Sequence, residues 1–218
     1  MKTKNILFYV LMFLPLAAVL IALPFLPEQI PAHYDINGAV DRYGSRYEML
    51  LLPALTLLFG LFLRVVVRIA AKQEKSGHAN EKTGLTICNA ALAVLNILTG
   101  YILYTSFRQV TDLSTLAWDI DQITCALIGV SMIVVGNIMP KARKNTAFGL
   151  RTAWSMKNDV TWKKSQRFGG ISFIAAGVLT IIACFVTKGL VCGGLFLAIL
   201  IVTTVVDVGY TWWVAKGE

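Results

Sequence analysis

The sequence predicts an all-α fold: a polytopic membrane helix bundle with six transmembrane helices and both termini in the cytoplasm. Three observations predict it. The first is composition. Of 218 residues, 56% are hydrophobic and the mean hydropathy is +0.67, too apolar for a soluble domain of this size. The second is run length. A bilayer core takes about 20 consecutive apolar residues in a helix, and six such runs occur, roughly 6–26, 49–70, 85–107, 123–139, 171–187 and 190–215. The third is charge. With the N-terminus inside, segments 1–5, 71–84, 140–170 and 216–218, together with Arg64 and Arg68, hold 16 of the 20 Lys and Arg residues. The outer segments hold seven acids and only Arg42, Arg46, Arg108 and Lys188. The excess of positive charge therefore falls on one side, with an even number of spans. One membrane domain accounts for residues 1–218.

The first run reads as a retained span rather than a cleaved signal, because Pro24 and Pro27 follow it instead of a small-residue cleavage site. Pro15 is placed to kink it. In the outer loop, 27–48, Asn37-Gly38 is a two-residue hairpin signal. That turn would set Tyr34 opposite Asp41 and His33 opposite Arg42. His33 would then share a face with Asp35, and Asp41 would lie on the other. In this register a His33–Asp41 metal or acid–base pair does not form; a longer loop would restore it. His33 is expected to be a hydrogen-bonded structural residue.

The second span ends at Arg64 and Arg68, one turn apart and able to reach the inner head groups. The linker 71–84 reads as an ordinary glycine-punctuated polar loop, with His78 in solvent. Asn89 and Asn96, seven residues apart in the third span, share a helix face. Buried amides of this kind bond a neighbouring helix.

Residues 136–170 form the longest polar interruption. They hold eight of the 20 basic residues and one acid, Asp159. The fourth span is predicted to continue as helix through Lys141, Arg143 and Lys144, bent at Pro140. Asn137, Lys141 and Lys144/Asn145 would form one polar stripe. Phe148-Gly149 reads as a helix stop with glycine in a left-handed cap, and 150–157 as irregular. Asn158 is an N-cap with Asp159 in the first turn, opening a helix that carries Trp162, Lys163, Lys164 and Arg167 into the fifth span. Lys188-Gly189 makes a tight outer turn, and Gly193-Gly194 suggests close helix approach. Asp207 is the acid well inside an apolar run, a functional candidate by default; the alternative is a Lys or Arg partner at the inner boundary.

Cys88, Cys125, Cys184 and Cys192 show no metal or disulfide spacing and read as buried free thiols. No nucleotide loop, metal cluster or cofactor motif occurs. Basic charge with no nucleic-acid module leaves no direct nucleic-acid partner. The lipid bilayer itself, through its anionic head groups, is the simplest partner for that charge.

Two stretches resemble a known family. Ile30-Pro31-Ala32-His33, followed by Gly38 and Asp41, is similar to the I-P-x-H…G-x-x-D signature of a short domain of unknown function. Residues 136–170 resemble the pattern G-N-x-M-P-K-x-R-x-N…G-x-R-T-x-W…N-x-x-x-W-x-x-x-x-R-x-G-G. Together they resemble the SdpI family, bacterial six-span proteins whose namesake gives immunity to a secreted peptide toxin. The resemblance implies a non-enzymatic immunity and signalling protein of the bacterial cytoplasmic membrane. A secreted peptide toxin would meet the acidic outer face (Glu28, Asp35, Asp41, Glu48, Asp112, Asp119, Asp121), with His33, Gly38 and Asp41 in the outer motif. A cytoplasmic transcriptional regulator would dock on the inner loop, through Asn137, Lys141, Arg143, Asn145, Gly149, Arg151, Thr152, Trp154, Asn158, Trp162 and Arg167. The same stretch could instead be a packed floor, with Trp154 and Trp162 as interfacial anchors.

Two rival readings stand beside this one. A small transporter or lipid-handling protein would line a polar path with Asp207, Asn89 and Asn96, and hold a phosphate on Arg143, Arg151 and Arg167. A membrane enzyme would use His33 with Asp35 or Asp41. The chain departs from the family pattern at Ala153, where proline is expected, and at Gln166, where histidine is expected; the second departure counts against catalysis.

Overall fold

The computed structural model describes residues 2–74 and 78–218. Six helices and one hairpin follow in chain order: α1 (Lys2–Ala22), β1 (Gln29–Tyr34), β2 (Val40–Ser45), α2 (Leu51–Lys72), α3 (Ala79–Phe107), α4 (Ile120–Ile138), α5 (Asp159–Val186) and α6 (Gly189–Lys216). All six helices are long and apolar enough to cross a membrane. Even α4, with 19 residues, spans about 28 Å at about 1.5 Å per residue. Each apolar run in the sequence became one helix. Of the predicted linker 71–84, residues 75–77 lie outside the described ones.

The bundle has two halves. In the first, α1 packs on α3 and α2 around buried Phe8, Met12, Val67, Leu85 and Leu92. Asn89 and Asn96 do what their shared face predicts. Asn89 donates to the Lys4 carbonyl at 3.2 Å, and Asn96 to the Leu11 carbonyl at 2.8 Å. The second bond has a local cause. Pro15, inside α1, has no N–H for the carbonyl four residues before it, which is that of Leu11.

In the second half, α4 and α5 make the tightest seam. A Cβ on Gly136 would come within 2.5 Å of the Gly170 carbonyl, and one on Gly177 within 2.5 Å of the Gly129 carbonyl. The two glycines on each helix are seven residues apart, about two turns, so both pairs lie on one face of an antiparallel crossing. Gly193 and Gly194, by contrast, have nothing within 4 Å. The expected close approach there does not occur, because α6 turns Cys192 inward at this level and leaves both glycines facing away from any neighbour.

The basic end of the bundle, inner by the charge asymmetry of the sequence and opposite the hairpin end, corrects the sequence reading in two places. Pro140 ends α4 instead of bending it. Residues Met139–Lys141 tighten into a 3-10 turn and the chain is extended at Ala142. The helix predicted through Lys141, Arg143 and Lys144 does not form, and the polar stripe from Asn137 to Asn145 is lost with it. Gly149 does take a positive φ, +100°, but it caps no helix; it turns an irregular chain. The rest of this region follows expectation. Asn158 caps α5, with a reciprocal capping box to Thr161, and Lys188-Gly189 makes the tight outer turn into α6.

The outer hairpin forms, in a shifted register. His33 does face Arg42, but Tyr34 pairs with Val40, with irregularities on both sides of His33. The turn spans Asp35 to Ala39, whose backbones bond at 2.7 Å. The Asp35 carboxylate accepts from the Asn37 and Ala39 amides, both at 2.9 Å. Asp41 becomes the bulged residue, and a one-residue slip moves a side chain to the other face.

Candidate functional site

The outer end carries a cavity of about 670 Å³. The hairpin roofs it, and the ends of α3 and α4 and the α5–α6 turn wall it. Backbone bonds strap the roof to the connection between α3 and α4: Val40 N–H to the Thr111 carbonyl at 2.9 Å, and Leu113 N–H to the Gly38 carbonyl at 2.8 Å. The Tyr34 hydroxyl adds a bond to the Val110 carbonyl at 3.0 Å, and burial raises its phenol above its ordinary value.

The opposite wall is built by one local pattern, Asp119-x-x-Gln122. Asp119 caps α4 by accepting from the Gln122 amide at 2.7 Å, while its other carboxylate oxygen accepts from Gly189 N–H at 3.0 Å. Gln122 reaches back to the Cys184 carbonyl at 2.7 Å. The start of α4 is thereby clamped to the α5–α6 turn. Asp35, Asp119 and Asp121 line the cavity against a single cation, Lys188; Tyr34, Ile36, Tyr101 and Leu190 supply apolar and aromatic wall. Hydrogen bonds, that from Ala39 N–H foremost, hold the Asp35 carboxyl below its ordinary range. A site with this charge and lining suits a cationic, amphipathic ligand.

The bulge overturns one expectation. His33 Nδ1 lies 2.6 Å from an Asp41 oxygen, so the pair excluded by a tight hairpin exists. It sits on the rim, with both side chains about half exposed or more. His33 bonds no hydroxyl, thiol or amine nucleophile, and among the described residues no group of three metal-ligating side chains occurs. Hydrogen bonds to Glu48, foremost, raise the Arg42 guanidinium, and a two-point contact at 3.2 and 2.9 Å pins the second strand.

The inner stretch splits into two sets of residues. Asn145, Trp162, Asn158 and Thr152 are bonded into a floor. Asn145 accepts from the Ala147 and Phe148 amides at 2.8 and 3.0 Å. Trp162, fully buried, donates to the Ala142 carbonyl at 2.9 Å; it is not an interfacial anchor. Thr152 bonds Thr211 of α6 at 2.9 Å. Gln166 clasps Leu150 by both backbone groups, accepting from its N–H at 3.0 Å and donating to its carbonyl at 2.9 Å. Gly149 is pressed on the same amide, where a Cβ would meet Gln166 Oε1 at 2.6 Å. Asn137, Lys141, Arg143, Arg151, Trp154 and Arg167 are displayed outward, although Arg151 also donates to the Thr146 carbonyl. Lys141, Arg143, Lys144 and Lys163 line a cleft of about 720 Å³ with Glu74 and Asp159.

The intramembrane polar residues do not share a path. Asn89 and Asn96 serve the α1–α3 seam. Asp207, 3% exposed, accepts from the Ser172 hydroxyl of α5 at 2.6 Å and has no Lys or Arg partner among the described residues. Sequence reasoning missed the structural work of Gln166, Asn80 and Ser155. Asn80 bonds the Arg143 amide at 2.9 Å and the Ala70 carbonyl at 3.2 Å. It also missed the Asp119–Gln122 clamp, whose capping-box spacing was a readable signal.

Comparison with known proteins bears on both ends. Residues 141–211 match the SdpI/YfhL protein family, and residues 10–57 match a domain of unknown function, DUF1648. The chain is 27% identical over 186 residues to the "Immunity protein SdpI" of Bacillus subtilis (strain 168), covering 84% of this chain and 83% of that one. It is also 36% identical over 44 residues to an "Uncharacterized protein" of Archaeoglobus fulgidus, covering 20% and 24%. No solved structure matches. The resemblance to the SdpI family read from both motifs is borne out, and the chain is a multi-pass bacterial membrane protein.

Proposed function

We propose that this protein confers immunity by capturing a secreted cationic, amphipathic peptide in its outer cavity. The observation that carries the reading is the pairing of Asp35, Asp119 and Asp121 with the aromatic and apolar wall of Tyr34, Ile36 and Tyr101. The likeness to a relative named as an immunity protein, over most of both chains, supports it. Basic side chains of the peptide would meet the carboxylates, and its apolar face the wall. With positive charge inside, this cavity faces the source of the toxin. The protein acts by binding, not by catalysis.

Capture is coupled to the inner side through α4 and α5. Their glycine seam makes them one rigid body, with the Asp119 clamp at its outer end and the Lys141–Lys163 cleft at its inner end. A peptide that favours one arrangement of that body over another changes how the inner cations are presented. A cytoplasmic regulator with an acidic surface is the partner this cleft suits.

The test is survival of a toxin-sensitive bacterium expressing the protein, challenged with a panel of secreted peptide toxins. Wild type is compared with Asp35→Asn/Asp121→Asn and with Arg143→Gln/Lys163→Gln at equal membrane abundance. Protection lost in the outer pair and kept in the inner pair is the expected result. A wild type that protects against nothing in the panel sinks the immunity reading.

A further inference from the structure

A third cleft, of about 750 Å³, lies between the basic ends of α5 and α6, and its make-up differs from both sites above. Its rim holds Lys164, Arg167 and Lys216, and its floor Phe168, Tyr210 and Trp213. Phe168 and Tyr210 stack face to face, 3.8 Å apart and 7° from parallel, which makes a flat apolar wall. Ile171, 62% exposed, continues that wall toward the middle of the bundle, and Trp213, 66% exposed, flanks it on the side of Lys216. Arg167 is exposed and makes no ion pair with any of the described residues. Lys216 lies over the Trp212 ring at 3.8 Å. Lys164 alone is engaged by an acid, Glu218. The exposed Ile171 and Trp213 belong to the apolar outer surface of the bundle, so the cleft opens toward the membrane.

We propose that this cleft is a site for one anionic phospholipid of the leaflet at the basic end of the bundle. Its phosphate would sit on Arg167 and Lys216, and an acyl chain along Ile171 and Trp213. A guanidinium fork matches phosphate oxygens, and basic pockets between spans take anionic head groups. The apolar wall selects a lipid over a free phosphate, which would leave Trp213 and Ile171 uncovered. Charge selects a lipid over a second copy of this chain, since a two-fold contact would bring the same cations together.

The full chain, purified in detergent, tests this by native mass spectrometry against phosphatidylglycerol, phosphatidylcholine and glycerol 3-phosphate. One phosphatidylglycerol is expected to be retained, in clear excess over phosphatidylcholine, with no retention of glycerol phosphate. Arg167→Gln and Lys216→Gln should each weaken it about fivefold, while Lys163→Gln, in the other inner cleft, leaves it unchanged. Glu218→Gln frees Lys164 and should strengthen retention, a gain no misfolded variant would give. Equal retention of phosphatidylcholine, equal loss in Lys163→Gln, binding of glycerol phosphate alone, or a lipid-free dimer would each overturn the assignment.

Discussion

Both ends of this bundle are polar, and they use polarity in opposite ways. At the inner end, Asn145, Ser155, Thr161 and Gln166 are almost fully buried and their bonds go to neighbouring backbone. They shape a chain that has no helix or strand of its own over 142–158. At the outer end, Asp35 and Asp119 shape the chain by accepting from backbone amides, and the same carboxylates line a cavity. The difference teaches that density of motif residues is a poor guide to contact. The longer and more specific signature divides between internal scaffolding and displayed cations, and the shorter one frames the open site.

The comparison breaks most easily at Gln166. Gln166→Leu leaves the Leu150 N–H without a partner and its carbonyl with only the Ser155 hydroxyl, a loss of about 2 kcal/mol at about 1–3 kcal/mol per buried unpaired group. Unfolding in detergent should show it as a large drop in midpoint, and unchanged stability would mean that the floor is not held from this residue. Asn158→Ala removes a helix cap in the same floor and should cost about 1 kcal/mol, read by the same assay.

At the outer end the expectation reverses. Asp121→Asn should leave the unfolding midpoint within about 0.5 kcal/mol of wild type and weaken binding of a cationic peptide about fivefold, equivalent to about 1 kcal/mol. Titration with a fluorescent basic amphipathic peptide measures it; an outer variant that destabilises without changing binding would erase the contrast between the ends. The smallest effect concerns pH. Hydrogen bonds hold the Asp35 carboxyl below its ordinary 3.8, so the turn keeps its full contribution above that value and loses it as pH falls toward the folded-state value. Faster hydrogen exchange at Asn37 and Ala39 in that acid window, relative to the strands, is the expected sign.

The six spans were legible in the sequence because the length of an apolar run is a property of the chain alone. The Asn158 cap was legible for a similar reason, since its partner Thr161 lies three residues on, and the Lys188-Gly189 turn because it rests on the positive φ of Gly189, a property of that residue. What failed needed a partner from elsewhere. The hairpin was read correctly as a hairpin, yet one bulged residue, Asp41, reversed the conclusion about His33. The outer site was legible only as a row of acids, since its cavity depends on Asp119 reaching Gly189. Glycine at 129, 136, 170 and 177 had no more prominence than at 193 and 194; only the facing helix separates seam from surface. Asp207 was visible as an anomaly, but Ser172 lies 35 residues away and nothing local points to it.

Pro15 and Asn96 bear on how the chain is assembled. A first helix that enters the bilayer alone carries the Leu11 carbonyl with no donor in reach, in a medium without water to fill it, at a cost of several kcal/mol. That vacancy closes only when the third helix arrives with Asn96. The early helix is therefore left incomplete until its later neighbour docks, which gives insertion and assembly a thermodynamic direction. It also makes the proline and the asparagine, 81 residues apart in the chain, a pair that neither mutation nor redesign can treat separately.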